Sequence, residues 1–149
     1  MIGALMNSGM SSSLRLDWAT PRQLFEMLDR EFLFALDACA DSTNHKCANY
    51  IDEQMDAFRQ NWATLSNGRA IWMNPPYGRG IGKWIQKARS EPATVVCLVP
   101  ARTDTSWWHD YCMKGEVRFL RGRLEFDDLK RGRCPFPSAI VIFRPDQNL

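Results

Sequence analysis

Long apolar runs are missing from this sequence. No stretch approaches the roughly 18 residues that a membrane-spanning helix requires, and the first fourteen residues have no signal-peptide core. We therefore expect a protein that is neither inserted in a membrane nor exported. With 149 residues, it has room for one domain with a real core and little room for a second.

Paired cysteine motifs are also missing. The five cysteines are odd in number and irregularly spaced, and Cys39 and Cys97 lie in apolar runs. This pattern is typical of reduced thiols in a cytoplasmic protein. Cys39, His45 and Cys47 are close enough in sequence to suggest a metal, but no Cys-x-x-Cys pair accompanies them, so we expect none.

The sequence has no strong net charge, but its charge is unevenly distributed. The total is +2, which by itself indicates no partner. Residues 1–70 contain six basic and nine acidic residues, whereas residues 71–149 contain thirteen and eight. The second half suits a polyanion, although a solvated basic face explains the same excess.

Hydrophobic periodicity predicts alternating helices and strands. We expect a loose tail over 1–14 and one domain over 15–149. Helices are predicted over about 21–31, with a capping box at Thr20–Gln23, from Ile81 onward, and after a cap at Thr103 or Asp104. Strands are predicted at 34–39, 70–73, 93–99, 117–120 and 139–143, with a possible short one at 47–51. The pattern predicts an α/β fold, with a doubly wound, mostly parallel sheet and a late antiparallel strand pair.

The stretch with the clearest chemistry is Asn74-Pro75-Pro76-Tyr77, which follows the predicted strand at 70–73. The Asn74 side-chain oxygen and the Pro75 carbonyl can accept both N–H bonds of a planar amine and free its nitrogen for attack. Two prolines stiffen the turn, and Tyr77 offers an aromatic face worth about 1–3 kcal/mol to a stacked base. A rigid turn without function is the alternative, because Asn and Pro are common turn residues.

Polar residues end three of the predicted strands. They are Asp37, Asn74 and the segment 100–104, and in an open α/β sheet such ends share one cleft. Asp37 can bind a ribose hydroxyl or a cationic amine, although a helix cap or salt bridge explains it equally well. Asp56 is a second candidate acid, with a solvated loop residue as its alternative.

Several stretches together resemble the small phage- and prophage-encoded DNA N6-adenine methyltransferases. They cover about residues 17–144 and are Thr20-Pro21, Leu36–Asp41, Asn74–Tyr77, Pro100–Thr105, Trp107–His109, Phe119–Arg123 and Pro135–Ser138. The resemblance implies an S-adenosylmethionine-dependent, Rossmann-like enzyme that methylates adenine in DNA in the bacterial host cytoplasm. It also implies a flipped-out target base, a monomer and no metal.

The resemblance also implies roles for individual residues. The catalytic turn is Asn74, Pro75, Pro76 and Tyr77. The expected cofactor-binding residues are Thr20, Pro21, Asp37, Ala38, Cys39 and Asp56. The resemblance and the basic excess together predict a set of DNA-binding residues. They are Arg79, Arg102, Trp107, Trp108, Arg121, Arg123, Lys130, Arg131 and Arg133. For the two tryptophans, packing in the core is the alternative to lining a flipped base.

One departure from larger methyltransferases bears on these expectations. Residues 41–44, Asp-Ser-Thr-Asn, stand where those enzymes have a glycine-rich loop. No separate target-recognition domain fits in the chain, so any base readout falls to the basic insert at 121–137. RNA adenine and protein glutamine are alternative acceptors, and an inactive nucleic-acid-binding regulator is the alternative from another functional class.

Overall fold

A computed structural model describes residues 20–125 and 133–145 of the chain. The predicted loose tail at 1–14 and the predicted DNA contacts Lys130 and Arg131 lie outside these described residues. Within them the fold is mixed α/β around one five-stranded sheet. The α/β prediction is therefore confirmed.

The described helices and strands alternate through the first two thirds of the chain. The helices are α1 (Arg22–Phe32), α2 (Trp62–Leu65), α3 (Ile81–Ser90) and α4 (Ser106–Asp110). The strands are β1 (Leu36–Asp37), β2 (Ile71–Met73), β3 (Val95–Pro100), β4 (Glu116–Phe119) and β5 (Ser138–Phe143). Short 3₁₀ turns at Glu53–Met55, Ala57–Arg59 and Cys112–Lys114 connect some of them.

The strand order in the sheet is β1-β2-β3-β5-β4. β2 pairs in parallel with β1 and with β3, whereas β5 is antiparallel to both β3 and β4. Only β5 therefore runs against the other four, and the predicted late antiparallel pair is confirmed. The position of β5 follows from its composition: all six residues are buried, as suits a strand with a neighbour on each side. β4 contains Glu116 and Arg118 and occupies the edge.

Helix α1 lies where the sequence predicts it, but it begins differently. Leu24, Phe25 and Leu28 are buried at helical spacing, as expected. The helix cap is Pro21, without a side-chain hydrogen bond, so the predicted capping box is wrong. The hydroxyl of Thr20 bonds to Asn74 instead. A long-range contact has replaced the local one.

Two other predicted features are shorter or shifted. Helix α4 is capped by Thr105, whose hydroxyl accepts from the Trp108 backbone N–H at 3.3 Å, and not by Thr103 or Asp104. The possible strand at 47–51 is a single bridge between Asp37 and Tyr50. The backbone N–H of Asp37 donates to the Asn49 carbonyl, and the Asp37 carbonyl accepts from the Ile51 N–H. This segment therefore covers the outer edge of β1.

Helix α3 begins at Ile81, as predicted, and Ile81, Ile85 and Ala88 are buried, whereas Trp84 is only partly buried. Gly82 allows a close approach, since a Cβ there would lie 3.3 Å from the Cβ of Trp107. Among the described residues, no helix is both long enough and apolar enough to cross a membrane.

Replacing Ile85 by Ala is expected to lower the free energy of unfolding by about 2–5 kcal/mol, because a fully buried side chain leaves a cavity. Met27→Ala is the matched control on α1, where the side chain is 53% exposed, and it should change stability by less than about 0.5 kcal/mol. Urea unfolding measures both variants. An equal decrease in the free energy of unfolding in the two variants would contradict the described packing.

Candidate active site

A cavity of about 430 Å³ opens at the carboxyl ends of β1 and β2. It brings together residues that lie far apart in the sequence and that the sequence predicts to be functional. They are Thr20, Asp37, Cys39, Asp56, Asn74 and Pro76. The volume is within the range of small-molecule sites, about 300–1,000 Å³.

The side chain of Asn74 lies at this cavity, directly after β2, and is hydrogen-bonded at both ends of its amide. Its Nδ2 donates to the hydroxyl of Thr20 at 3.0 Å. Its Oδ1 accepts from the hydroxyl of Tyr77 at 2.8 Å. Tyr77 also lies 3.3 Å from the carbonyl oxygen of Leu98 in β3. The catalytic turn is therefore tied both to the segment before α1 and to the neighbouring strand.

Tyr77 has a different environment from the one the sequence predicts. Its side chain is only 5% exposed, and its ring meets the ring of Phe136 edge-on at 5.7 Å. Burial raises the pKa of the phenol well above its ordinary value, so the hydroxyl keeps its proton. In this arrangement Tyr77 does not present an open stacking face, and its described polar contacts are made through the hydroxyl.

Asp37 ends β1 and is a buried carboxylate at the cavity. Its Oδ1 accepts from the Cys39 backbone N–H at 3.2 Å, and its Oδ2 accepts from the Lys46 N–H at 2.9 Å. Burial raises the pKa of Asp37 to about 6, and the two backbone donors oppose that shift. Among the residues that the structure describes, Asp37 neither caps a helix nor forms a side-chain salt bridge.

The loop after β1 forms without glycine. The Oδ1 of Asp41 accepts from the backbone N–H of Thr43 at 2.7 Å and from that of Asn44 at 3.0 Å. These bonds and the one from the Thr43 hydroxyl hold the pKa of Asp41 below its usual range. The carboxylate caps successive N–H groups and closes a turn in which Asp41 and Asn44 line the cavity.

Sequence reasoning missed part of the cavity wall. Asp52, Glu53, Phe58 and Trp84 line the same cavity as Asp56. The rings of Phe58 and Trp84 lie 4.7 Å apart. In the sequence, Asp52, Glu53 and Asp56 form an acidic stretch ahead of Phe58, and Trp84 follows Ile81 at helical spacing. The acidic run followed by an aromatic residue was the available signal.

Asp56 has an unusual backbone conformation. Its φ of 57° and ψ of 90° are uncommon for a residue other than glycine. Its Oδ1 accepts from the Phe58 N–H at 3.2 Å, and Oδ2 lies 3.5 Å from Arg59. These contacts hold the acid at the start of the turn that carries Phe58.

Two of the expected cofactor-binding residues do not line the cavity. The side chain of Ala38 is fully buried, and Pro21 is the cap residue of α1. Pro75 is buried within the catalytic turn, between two residues that do reach the cavity.

The predicted DNA contacts fall into two groups. Arg79, Arg102, Arg121, Arg123 and Arg133 are exposed, and Arg133 lies 3.3 Å from Glu125. The guanidinium of Arg102 lies 5.3 Å above the Phe136 ring. The tryptophans differ from one another.

Trp108 is 1% exposed and packs in the core, which is the alternative that the sequence offered for it. Trp107 is partly exposed and packs on α3 beside Gly82. In the parts of the chain that the structure describes, no group of three or more His, Cys, Asp or Glu side chains is placed to hold a metal ion.

Comparisons with known proteins agree on one family. A family model described as "DNA N-6-adenine-methyltransferase (Dam)" matches residues 7–147. A protein of Haemophilus phage HP1 (strain HP1c1), named "DNA N-6-adenine-methyltransferase", is 30% identical over 141 residues. The match covers 86% of this chain and 78% of the phage protein.

The raised pKa of Asp37 predicts a pH-dependent stability. The unfolded chain releases this proton near the ordinary value of 3.8, and the folded chain near 6. The contribution of Asp37 to stability is therefore complete below pH 3.8 and is lost as pH rises to 6. Relative to Asp37→Asn, the native chain should lose about 2–3 kcal/mol between pH 4 and pH 7.

Urea unfolding at the two pH values measures this difference. Asp104→Asn is the control, because Asp104 is exposed in the loop after β3 and outside the cavity. Its stability should follow that of the native chain at both pH values. If the free energy of unfolding changed equally with pH in the native chain and in Asp37→Asn, the buried environment of Asp37 would be contradicted.

Proposed function

The chain belongs to the DNA N-6-adenine-methyltransferase (Dam) family, and we propose that it performs that family's reaction with S-adenosylmethionine as donor in the cavity beside Asn74. The reaction class is methyl transfer to the N6 amino group of adenine in DNA. The observation that carries the proposal is that Asn74 and Pro76 line the same cavity as Asp37 and Asp56.

The cavity fits the chemistry of this donor. S-adenosylmethionine contains two cationic groups, an ammonium and a sulfonium, and the wall offers the carboxylates of Asp37, Asp52, Glu53 and Asp56. Carboxylates also accept from ribose hydroxyls, and Phe58 and Trp84 provide apolar surface for an adenine ring. When bound, the donor supplies an electrophilic methyl group that needs no metal activation.

The protein's contribution to the reaction is the placement of acceptors. The adenine amine is a poor nucleophile because its lone pair is delocalised into the ring. The Asn74 Oδ1 and the Pro75 carbonyl accept its two N–H bonds and favour a pyramidal nitrogen. Pro75 and Pro76 fix the backbone, so these acceptors are in place before the substrate arrives.

The sheet supports a Rossmann-like, doubly wound interpretation of the fold. β1, β2 and β3 are parallel, and the cavity lies beyond the carboxyl ends of β1 and β2. Ligands occupy this position in open α/β sheets. The whole region from 15 to 149 acts as one domain in this proposal and works as a monomer.

DNA binding is proposed for the basic second half of the chain. The exposed side chains of Arg79, Arg102, Arg121 and Arg123 contact phosphates, and the segment 121–137 contributes any base readout. Lys130, Arg131 and Arg133 belong to the same proposed surface. The target adenine is flipped out of the duplex, because an amine within the base stack cannot reach Asn74. The partly exposed Trp107 is the remaining candidate for a wall beside that base.

The phage relative favours DNA over the alternative acceptors, since it is named as a DNA methyltransferase. Incubation with labelled donor and separate DNA, RNA and protein pools tests this choice, and label in RNA or protein alone would reject it. The inactive-regulator alternative rests on the missing glycine-rich loop, and Asp41 forms a hydrogen-bonded turn at that position. Calorimetry with S-adenosylmethionine tests what remains, since a regulator without a donor site gives no binding heat.

Replacing Asn74 by Ala is expected to abolish methyl transfer to DNA, because one of the two amine acceptors is lost. Donor binding should stay within a few-fold, since the carboxylates and Phe58 remain. Incorporation of labelled methyl groups and calorimetry measure the two properties. Asn61→Ala, which removes an exposed cap residue outside the cavity, is the control and should stay active. Unchanged turnover in Asn74→Ala would reject its catalytic assignment.

Replacing Phe58 by Ala is expected to weaken S-adenosylmethionine binding about 5- to 100-fold, because a ring that packs on a base contributes about 1–3 kcal/mol. Phe119→Ala removes an equally large ring that is 69% exposed and outside the cavity, so it should bind the donor normally. Calorimetry gives both dissociation constants. Equal affinities in the two variants would place the donor away from Phe58.

A further inference from the structure

We infer that Lys87 and Glu91 are positioning residues for the proposed donor site, because they fix the segment 56–62 that brings Phe58 into the cavity wall. Lys87 lies in the last turn of α3, and Glu91 directly follows that helix. Neither residue lines the cavity itself. The inference deepens the proposed function and rests on the cavity being the S-adenosylmethionine site.

The ring of Phe58 lines the cavity, but burial does not hold it in place. The side chain is 44% exposed, and the ring packs on that of Trp84, which is only partly buried. Two residues before the ring, Asp56 has a φ of 57° and a ψ of 90°. A residue other than glycine keeps such a conformation only when the surrounding structure holds it. The position of the ring therefore depends on what holds the backbone around it.

Trp62 connects this turn to the core. Its indole is fully buried, and its Nε1 donates to the carbonyl oxygen of Ala57 at 2.9 Å. Ala57 stands between Asp56 and Phe58 and is buried as well. The indole thus holds the peptide that leads directly into Phe58. The position of the turn follows from the position of Trp62.

Lys87 and Glu91 bind the backbone on both sides of Trp62. The Nζ of Lys87 donates to the carbonyl of Gln60 at 2.8 Å, and Oε1 of Glu91 accepts from the N–H of Ala63 at 2.9 Å. The same Nζ lies 2.7 Å from Oε2 of Glu91 and 5.5 Å from the centre of the Trp62 ring. The indole is therefore held by one ion pair that bonds to the chain before and after it.

The surroundings of the ion pair favour placement over adhesion. The side chains of Lys87 and Glu91 are 19% and 5% exposed. Desolvation offsets much of the attraction in such a pair, and apolar side chains of similar size often hold two segments together as well. Hydrogen bonds add direction, since each one fixes a single backbone group. One of these groups is the N–H of Ala63 in the first turn of α2, where the helix itself has no acceptor to offer.

Lys87→Met tests the inference, because it keeps the length of the side chain and removes its hydrogen bonds. The dissociation constant of S-adenosylmethionine is expected to rise about tenfold, within the range expected for Phe58→Ala. With donor and DNA both saturating, kcat should stay within about twofold, since the Asn74 turn is unchanged. Lys83→Met makes the same change at an exposed lysine one turn earlier and should bind the donor normally. Calorimetry and methyl-transfer kinetics measure these properties.

Further variants separate positioning from a general loss of stability. Ile142→Ala opens a cavity in the core at β5, outside the donor site, and should keep the native dissociation constant while it lowers the unfolding temperature. The double variant Lys87→Met/Glu91→Gln leaves no charge unpaired, so it should fold and bind the donor as weakly as Lys87→Met. In a Phe58→Ala background, Lys87→Met should weaken donor binding less than about threefold, because the ring that it positions is gone.

Backbone hydrogen exchange follows the segment without donor or turnover. Peptides that cover residues 53–63 should exchange faster in Lys87→Met than in the native chain or in Lys83→Met, because the backbone has lost its anchor. Peptides that cover α1 should exchange at the native rate in all three proteins. Native exchange over 53–63 in Lys87→Met would contradict the positioning role.

The outcomes separate this inference from the proposed function. A native chain that binds no S-adenosylmethionine would reject the proposed donor site, and the inference with it. A native chain that binds the donor, with the same dissociation constant in Lys87→Met, would overturn the inference alone. An equal loss of affinity in Ile142→Ala would also overturn it, since the ion pair would then act only through stability. An undiminished loss in the Phe58→Ala background would overturn it too, because the pair would not act through that ring.

Discussion

Parallel pairing of β2 with both β1 and β3 is the constraint on which the site depends. Because the strands run in the same direction, Asp37 at the end of β1 and Asn74 after β2 leave the sheet at one edge. The hydroxyl of Tyr77 then ties the turn to the Leu98 carbonyl of β3. The distance between Asp37 and the Asn74–Tyr77 turn is therefore set by backbone hydrogen bonds of the sheet, which vary little.

The uneven charge of the sequence becomes an arrangement in space. The acids that line the cavity come from residues 37–56, within the acidic first half. The exposed arginines proposed to contact DNA come from residues 79–133, within the basic second half. This division suits an enzyme that must bind a cationic donor and a polyanionic substrate at one turn, since each finds carboxylates or guanidinium groups as its partner. The catalytic turn lies between the two halves in the sequence.

Local patterns predicted most of the elements and some of the site. The apolar spacing of α1 and α3 and the buried runs of β2, β3 and β5 are strong signals, because burial alone decides them. Thr20 shows where such reasoning fails. Its spacing to Gln23 satisfies the pattern of a capping box, yet its hydroxyl bonds to a residue 54 positions away. A local rule cannot weigh a competing partner that only folding provides.

The sequence by itself determined the α/β fold class and the position of the Asn74–Tyr77 turn after a buried strand, because these depend on residue type and on short-range spacing. The tertiary structure alone decided which acids and rings surround that turn, that Trp108 is buried while Trp84 reaches the cavity, and that the Tyr77 hydroxyl bonds to Asn74. Those outcomes depend on which distant segments pack together. Long-range packing selects among contacts that are equally permitted by the local sequence.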